Sequence, residues 1–131
     1  MYRMSDEEFE DAVQEALDSM PPQFMEALEN VAIFVADEPD EDELDASDDP
    51  DYPSGTIYEG ELLGLYDGIS LVDRADGYDM DVPDTITIFK GPHERCFNSR
   101  KEVVDEAQKT VIHEIGHYFG LDDDRLHEMG Y

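Results

Sequence analysis

His113 and His117, with Glu114 between them, constrain this chain more than any other feature. Residues 111–125 read VIHEIGHYFGLDDDR and contain the pattern H-E-x-x-H-x-x-G-x-x-D. Two histidines four apart on a helix share one face, one turn above the other. That spacing lets both imidazoles bind a single Zn²⁺ at about 2.0–2.1 Å. The glutamate between them then hangs beside the open coordination position, where a general base for a metal-bound water belongs.

The context fits a helix. Over residues 102–119, Val103, Val104, Ala107, Val111, Ile115 and Tyr118 recur near 3.6-residue spacing. Lys109, His113, Gly116, His117 and Gly120 fall near a second face. Glycine inside a helix costs about 0.5–1 kcal/mol relative to alanine, so Gly116 implies the close approach of another backbone, such as a strand beside the metal. Gly120 is placed to end the helix as a residue of positive φ. The turn it makes can swing Asp122–Asp124 back toward the histidines. The pentapeptide alone is a moderate signal, and Gly120 and Asp123 at fixed offsets sharpen it.

HEIGHYFGLDD resembles the motif of the Asp-zincins, zinc metallopeptidases related to the metzincins but with aspartate as the third ligand. The order of segments is similar as well. An acidic N-terminal helix, the break MPPQF, the apolar NVAIFV, then GLYDGISL, TITIFKGPHER, the motif helix and RLHEMGY together look like the small bacterial minimal-zincin family. The resemblance spans nearly the whole chain apart from an acidic insert. It implies that His113 and His117 are metal ligands, that Asp123 is the third, and that Glu114 is the general base. Met129 lies too near the motif to be matched to the methionine turn of true metzincins. The residues alone leave the third ligand open. Asp122, Asp123 and Asp124 all precede the helical pattern RLHEM, where aspartate is a favoured N-cap, and Asp124 and Glu128 are alternatives to Asp123.

Charge narrows the partners. The 131 residues carry 36 acids against 8 bases, a net charge of −28, and no Lys or Arg occurs between Met4 and Asp73. A phosphate-binding surface needs clustered bases, so no nucleic-acid partner is expected. Anionic membrane surfaces are disfavoured for the same reason. Self-repulsion on this scale destabilises a compact state at low ionic strength, so greater stability is expected in molar salt or with divalent cations. Five of the eight bases lie within Lys90–Lys109 and are expected to offset acids locally. Cys96 is the sole cysteine, which excludes an internal disulfide. MYRMSDEEF lacks the basic start and apolar run of a signal peptide, and no stretch of 18 apolar residues exists to span a membrane. The expected location is cytoplasmic.

Along the chain, Ser5 is placed to cap a helix, with Glu8 completing a capping box and Asp6, Glu7 and Glu8 suiting the positive helix end. Phe9, Val13, Ala16 and Leu17 form its inner stripe, and Pro21-Pro22 stops it. Gln23–Glu29 reads as a second short helix. Residues 30–36 are apolar at both parities and read as a buried strand. An acidic flexible loop follows over 37–55; its residues 37–53 hold ten acids, three prolines and no base. Residues 56–66 and 69–72 supply short strands or a bend around Gly64 and Gly68, and Asp73–Asp84 reads as a second acidic loop. Residues 85–89 alternate apolar and polar, as in a strand with one wet side, and Lys90-Gly91-Pro92 reads as its end. Thr85–Lys90 is the candidate strand for adding an extended substrate to the sheet.

The expected fold is therefore a single α+β domain over residues 1–131, zincin-like, with a small mixed β-sheet packed on a long HExxH helix and short flanking helices. The expected function is zinc-dependent hydrolysis of peptide bonds in a peptide or protein substrate. A zinc site without proteolysis, or an acidic interaction module with a relic site, are the alternatives.

Overall fold

The computed structural model describes residues 2–22, 24–25, 31–42, 44, 55–67, 84–118 and 123–128, with the backbone alone for 67, 84, 117, 118, 123, 126 and 127. Helix α1 (Asp6–Asp18) begins where the sequence places it. Ser5 is in extended conformation, and its Oγ accepts from the Glu8 N–H at 3.1 Å, satisfying one of the donors a helix start leaves over. The Glu8 carboxylate accepts a 2.7 Å hydrogen bond from Tyr2 Oη. Phe9, Ala12, Val13 and Ala16 form the buried face of α1, and Phe9 is 1% exposed. Burying such a side chain contributes about 1.5–3 kcal/mol. After Pro21, the Met25 N–H bonds back to the Pro21 carbonyl at 3.3 Å. The remainder of the expected second helix lies outside the described residues.

Four strands form one mixed sheet in the order β1-β4-β3-β2. They are β1 (Val31–Ala36), β2 (Gly55–Tyr58), β3 (Glu61–Asp67) and β4 (Asp84–Phe89). β1 runs parallel to β4, with Val31 opposite Asp84 and Ala36 opposite Phe89. β4 and β3 are antiparallel, as are β3 and β2. The turn between β2 and β3 is two residues, Glu59 (φ 48°) and Gly60 (φ 82°). Two consecutive positive φ values match the right-handed twist of a hairpin, and Gly60 supplies one without a steric penalty.

One strand expectation is corrected. β1 reads as buried on both faces, yet it lies at the end of the described sheet, with every residue half-buried or exposed and Phe34 56% exposed. Its apolar run reports strand propensity, not lateral position. β4 shows the expected alternation, with Ile86 and Ile88 buried and Thr85 and Thr87 half-buried, and it is paired on one side with β1 and on the other with β3.

β4 ends at Lys90-Gly91-Pro92, as the sequence places it. Helix α2 (Lys90–Cys96) follows β4 directly. Pro92 sits in its first turn, where a missing N–H costs no intrahelical bond. The Gly91 N–H donates to the Asp37 carbonyl at 2.8 Å, and a Cβ there would overlap the Glu38 carboxylate. Helix α3 (Arg100–Tyr118) carries the motif, and α4 (Asp123–Glu128) follows.

α3 packs across β3, touches β2 and β4, and lies against α1. The main core fills that layer, with Phe9, Val13, Leu63, Ile86, Ile88, Val103, Ala107, Val111 and Ile115 among its members. A smaller cluster gathers Leu62, Leu65 and Phe89 with Ala36.

The bases at 90–109 all have acidic partners. Lys90 meets Asp6 at 3.5 Å and Glu94 at 3.7 Å, Arg100 meets Glu15 at 2.5 Å, Lys101 meets Asp105, and Lys109 meets Glu106. Arg95 binds both Glu38 oxygens and also Glu61. Its guanidinium holds the Glu38 carboxyl below the usual carboxylate range. These contacts tie α1, the segment after β1 and the β2–β3 hairpin to α2 and the start of α3.

Candidate metal centre

Ser99 precedes α3, and its Oγ accepts from the Glu102 N–H at 3.2 Å, while the Glu102 carboxylate accepts from the Asn98 N–H at 2.7 Å. Nineteen residues of continuous helix follow, so His113, Glu114 and His117 lie on consecutive turns of one rigid element. The expected span, 102–119, is met to within two residues. Val103, Ala107, Val111 and Ile115 are all 0% exposed and fix the rotation of the helix about its axis.

The depth of α3 is set by a glycine. Gly64 of β3 lies directly against Thr110, and a Cβ on Gly64 would overlap the Thr110 Cγ2 methyl. Thr110 is itself locked, being 1% exposed with its Oγ1 donating to the Glu106 carbonyl at 2.9 Å. Gly64 thus brings β3 close to α3 at Thr110, and Gly116, further along the same helix, is buried.

One turn beyond Thr110, Glu114 is 0% exposed, and its Oε1 accepts a 2.6 Å hydrogen bond from Thr56 Oγ1 of β2. An ionised carboxylate is tolerated under the surface only when donors compensate its lost hydration. Thr56 stands opposite Gly64 in the β2–β3 ladder, where the register shifts between Thr56 and Ile57. Such an irregularity re-aims side chains locally.

His113 is half-buried. His117 follows four residues later in the same helix, and Asp123 is the first residue of α4, which packs back on α3. Gly120 and the side chains of His117 and Asp123 lie outside the described residues. Asp124 is exposed, and so is Glu128, which receives Arg125 Nη1 at 3.4 Å. α4 begins at Asp123, so Asp123 and Asp124 lie within the helix, and Asp122 lies outside the described residues. Among the described residues, no group of three His, Cys, Asp or Glu side chains is gathered to hold a metal ion.

The donor set nevertheless suits zinc. Two imidazoles at i and i+4 on unbroken helix and a carboxylate at the start of the returning helix offer nitrogen and oxygen ligands, as in open catalytic sites.

Cys96 stands apart from this set. It lies in α2, with Sγ 3.9 Å from the Tyr58 carbonyl, and burial together with Glu61 and Glu59 pushes its thiol pKa up. That is the opposite of what a reactive or metal-seeking thiolate needs.

Two residues with chemical character escape the sequence reading. Thr56 is 58 positions from the glutamate it contacts, and nothing local marks it. His93 looks like a polar residue of the segment KGPHER, yet it is 0% exposed between Phe9 and Phe97. Its Nδ1 donates to the Phe89 carbonyl at 2.7 Å, while Nε2 is buried with no hydrogen-bond partner among the described residues. Burial lowers its pKa to about 4 against the raising effect of the Phe89 carbonyl, so the ring is neutral at pH 7.

Thr85–Lys90 does not serve as an edge for an added strand, because β4 is paired on both sides. β2 ends the described sheet on the other side, and it carries the residue that touches Glu114. No helix among the described residues is long and apolar enough to cross a membrane.

Comparison with known proteins agrees with this architecture. The chain is similar in structure to a conserved hypothetical protein from Thermo thermophilus, with a TM-score of 0.52 and 20% identity over 88% of this chain and 94% of that one. That likeness concerns the fold. No functionally curated protein matches. Residues 28–131 match the family described as Zincin-like metallopeptidase, a span covering every strand, the motif helix and α4. The chain belongs to the zincin-like metallopeptidase family.

Proposed function

We propose that this protein is a zinc-dependent peptidase that cleaves peptide bonds with Glu114 as general base. The observation that carries the reading is the placement of Glu114 between two histidines on unbroken helix, with its carboxylate tied to β2 through Thr56. His113, His117 and Asp123 would hold the metal. Zinc, when bound, polarises the scissile carbonyl and lowers the pKa of a coordinated water toward neutrality.

Glu114 takes a proton from the attacking water and passes it to the leaving amine. Its burial keeps bulk water from competing for that proton. An extended peptide adds along β2 rather than β4, since β2 alone combines a place at the end of the described sheet with contact to the base. The substrate is a peptide or protein, and the charge of −28 favours cationic segments over nucleic acid or anionic membrane.

Glu114→Gln tests the reading. The variant keeps zinc and loses hydrolysis of an unfolded-protein or peptide library; equal activity in variant and parent rules Glu114 out as the base.

A second reading has one observation in its favour. Glu114 is completely buried, as suits a zinc site that binds without cutting. In that case, parent and Glu114→Gln both bind zinc and neither hydrolyses any peptide.

A further inference from the structure

The hydrogen bond from Thr56 to Glu114 joins the strand at one end of the sheet to the motif helix. We infer that Thr56 is a positioning residue, which fixes the Glu114 carboxylate in the orientation needed for proton transfer and couples it to a peptide lying along β2. This inference rests on the peptidase reading.

Four observations converge on it. The contact is 2.6 Å, short for a hydroxyl donor and in the range of a bond to a charged acceptor. Glu114 is 0% exposed, so this bond takes the place of hydration. The backbone of Thr56 cannot drift away, because the β2–β3 ladder pairs it with Gly64 and Gly64 is pressed against Thr110, one turn before Glu114. Strand, helix and carboxylate thus form a closed loop of contacts: Thr56 to Gly64, Gly64 to Thr110, and Thr110 along α3 to Glu114. Finally, the register shift follows directly after Thr56, where the strand departs from regular pairing.

The Thr56 donor defines a lone-pair direction on Glu114 Oε1. Removing it relaxes that constraint on the last torsion, which is broad for glutamate. The loss falls on the chemical step and leaves substrate binding by β2 intact, because the Thr56 main chain remains in the ladder.

The test compares zinc-loaded parent, Thr56→Val, Thr56→Ser and Glu114→Gln on a cationic peptide substrate, with bound zinc and melting temperature measured for each. Thr56→Val keeps one zinc per chain, loses about tenfold in kcat with KM within about twofold, and melts below the parent, while Thr56→Ser restores both kcat and melting temperature. A stability cycle with Glu114→Ala provides a readout independent of turnover. Thr56→Val lowers the melting temperature in the parent background and not in the Glu114→Ala background. Unchanged kcat in Thr56→Val, equal destabilisation in both backgrounds, or failure of serine to rescue overturns the inference while Glu114→Gln remains inactive. An inactive parent, or Glu114→Gln as active as the parent, overturns the peptidase reading and this inference with it.

Discussion

Gly64 and Thr110 meet with no room between them: the bare Cα of a β3 residue lies against the branched side chain of an α3 residue, and Glu114 stands one turn further along the same helix. Gly64→Ala sets a methyl group against the Thr110 Cγ2 and leaves only 3.3 Å to the Thr87 carbonyl. Overpacking of this kind costs about 1–3 kcal/mol. Urea unfolding should show that loss in Gly64→Ala. Adding Thr110→Ser, which removes the opposing methyl, should make the double variant more stable than the sum of the single effects. A Gly64→Ala chain as stable as the parent would show that the helix does not depend on this approach.

His93 gives the fold a pH dependence with a defined sign. Its folded pKa of about 4 lies below the ordinary value of 6.5 because burial disfavours the charged ring. The unfolded chain therefore binds the proton more readily. The contribution is fully present above pH 6.5, falls as pH drops from 6.5 toward 4, and levels off below the folded value, a total on the order of 3 kcal/mol. The many carboxylates titrate in the same window, so the informative quantity is a difference. His93→Asn, which retains a donor toward the Phe89 carbonyl, should lose less stability than the parent between pH 7 and pH 4. Parallel stability curves for the two chains would refute the assignment.

Ser5 stabilises α1 through a single bond to the Glu8 N–H. Ser5→Ala should cost about 1 kcal/mol, and Ser5→Gly only a few tenths. Thermal unfolding of the two variants beside the parent checks the order; a loss in Ser5→Gly equal to that in Ser5→Ala would contradict it.

Excess negative charge opposes compaction. With 36 acids and 8 bases, and the bases at 90–109 already paired, the remaining carboxylates repel one another across the surface. The melting temperature should rise from low salt to 2 M KCl, since screening weakens repulsion among exposed charges. An unchanged value would mean that solvation alone disperses the charge.

How much of this was legible beforehand follows from the range of each interaction. α1 and α3 are readable because caps and apolar stripes are local: Ser5, Phe9 and Val13 in one case, Val103, Ala107 and Val111 in the other. The H-E-x-x-H spacing survives for the same reason, being a property of one helix. Lateral order in the sheet is not local. Apolar β1 reads as buried and lies at the end of the described sheet, while β4, whose alternation marks one wetter face as read, is taken for an edge open to substrate and is paired on both sides, because hydropathy reports faces and not neighbours. Gly91-Pro92 ends the strand as read, while the helix that follows at once goes unread, because proline is tolerated in its first turn. Thr56 and His93 draw their chemistry from partners brought near by folding, the first from a residue 58 positions away.

The central claim is that the motif, and not the acidic surface, binds the metal. The direct measurement is zinc content by plasma mass spectrometry after dialysis, comparing the parent with His113→Ala/His117→Ala. One zinc per parent chain and none in the double variant is the predicted result. Equal zinc in both would assign the metal to the acidic segments, and none in either would contradict the metal centre outright.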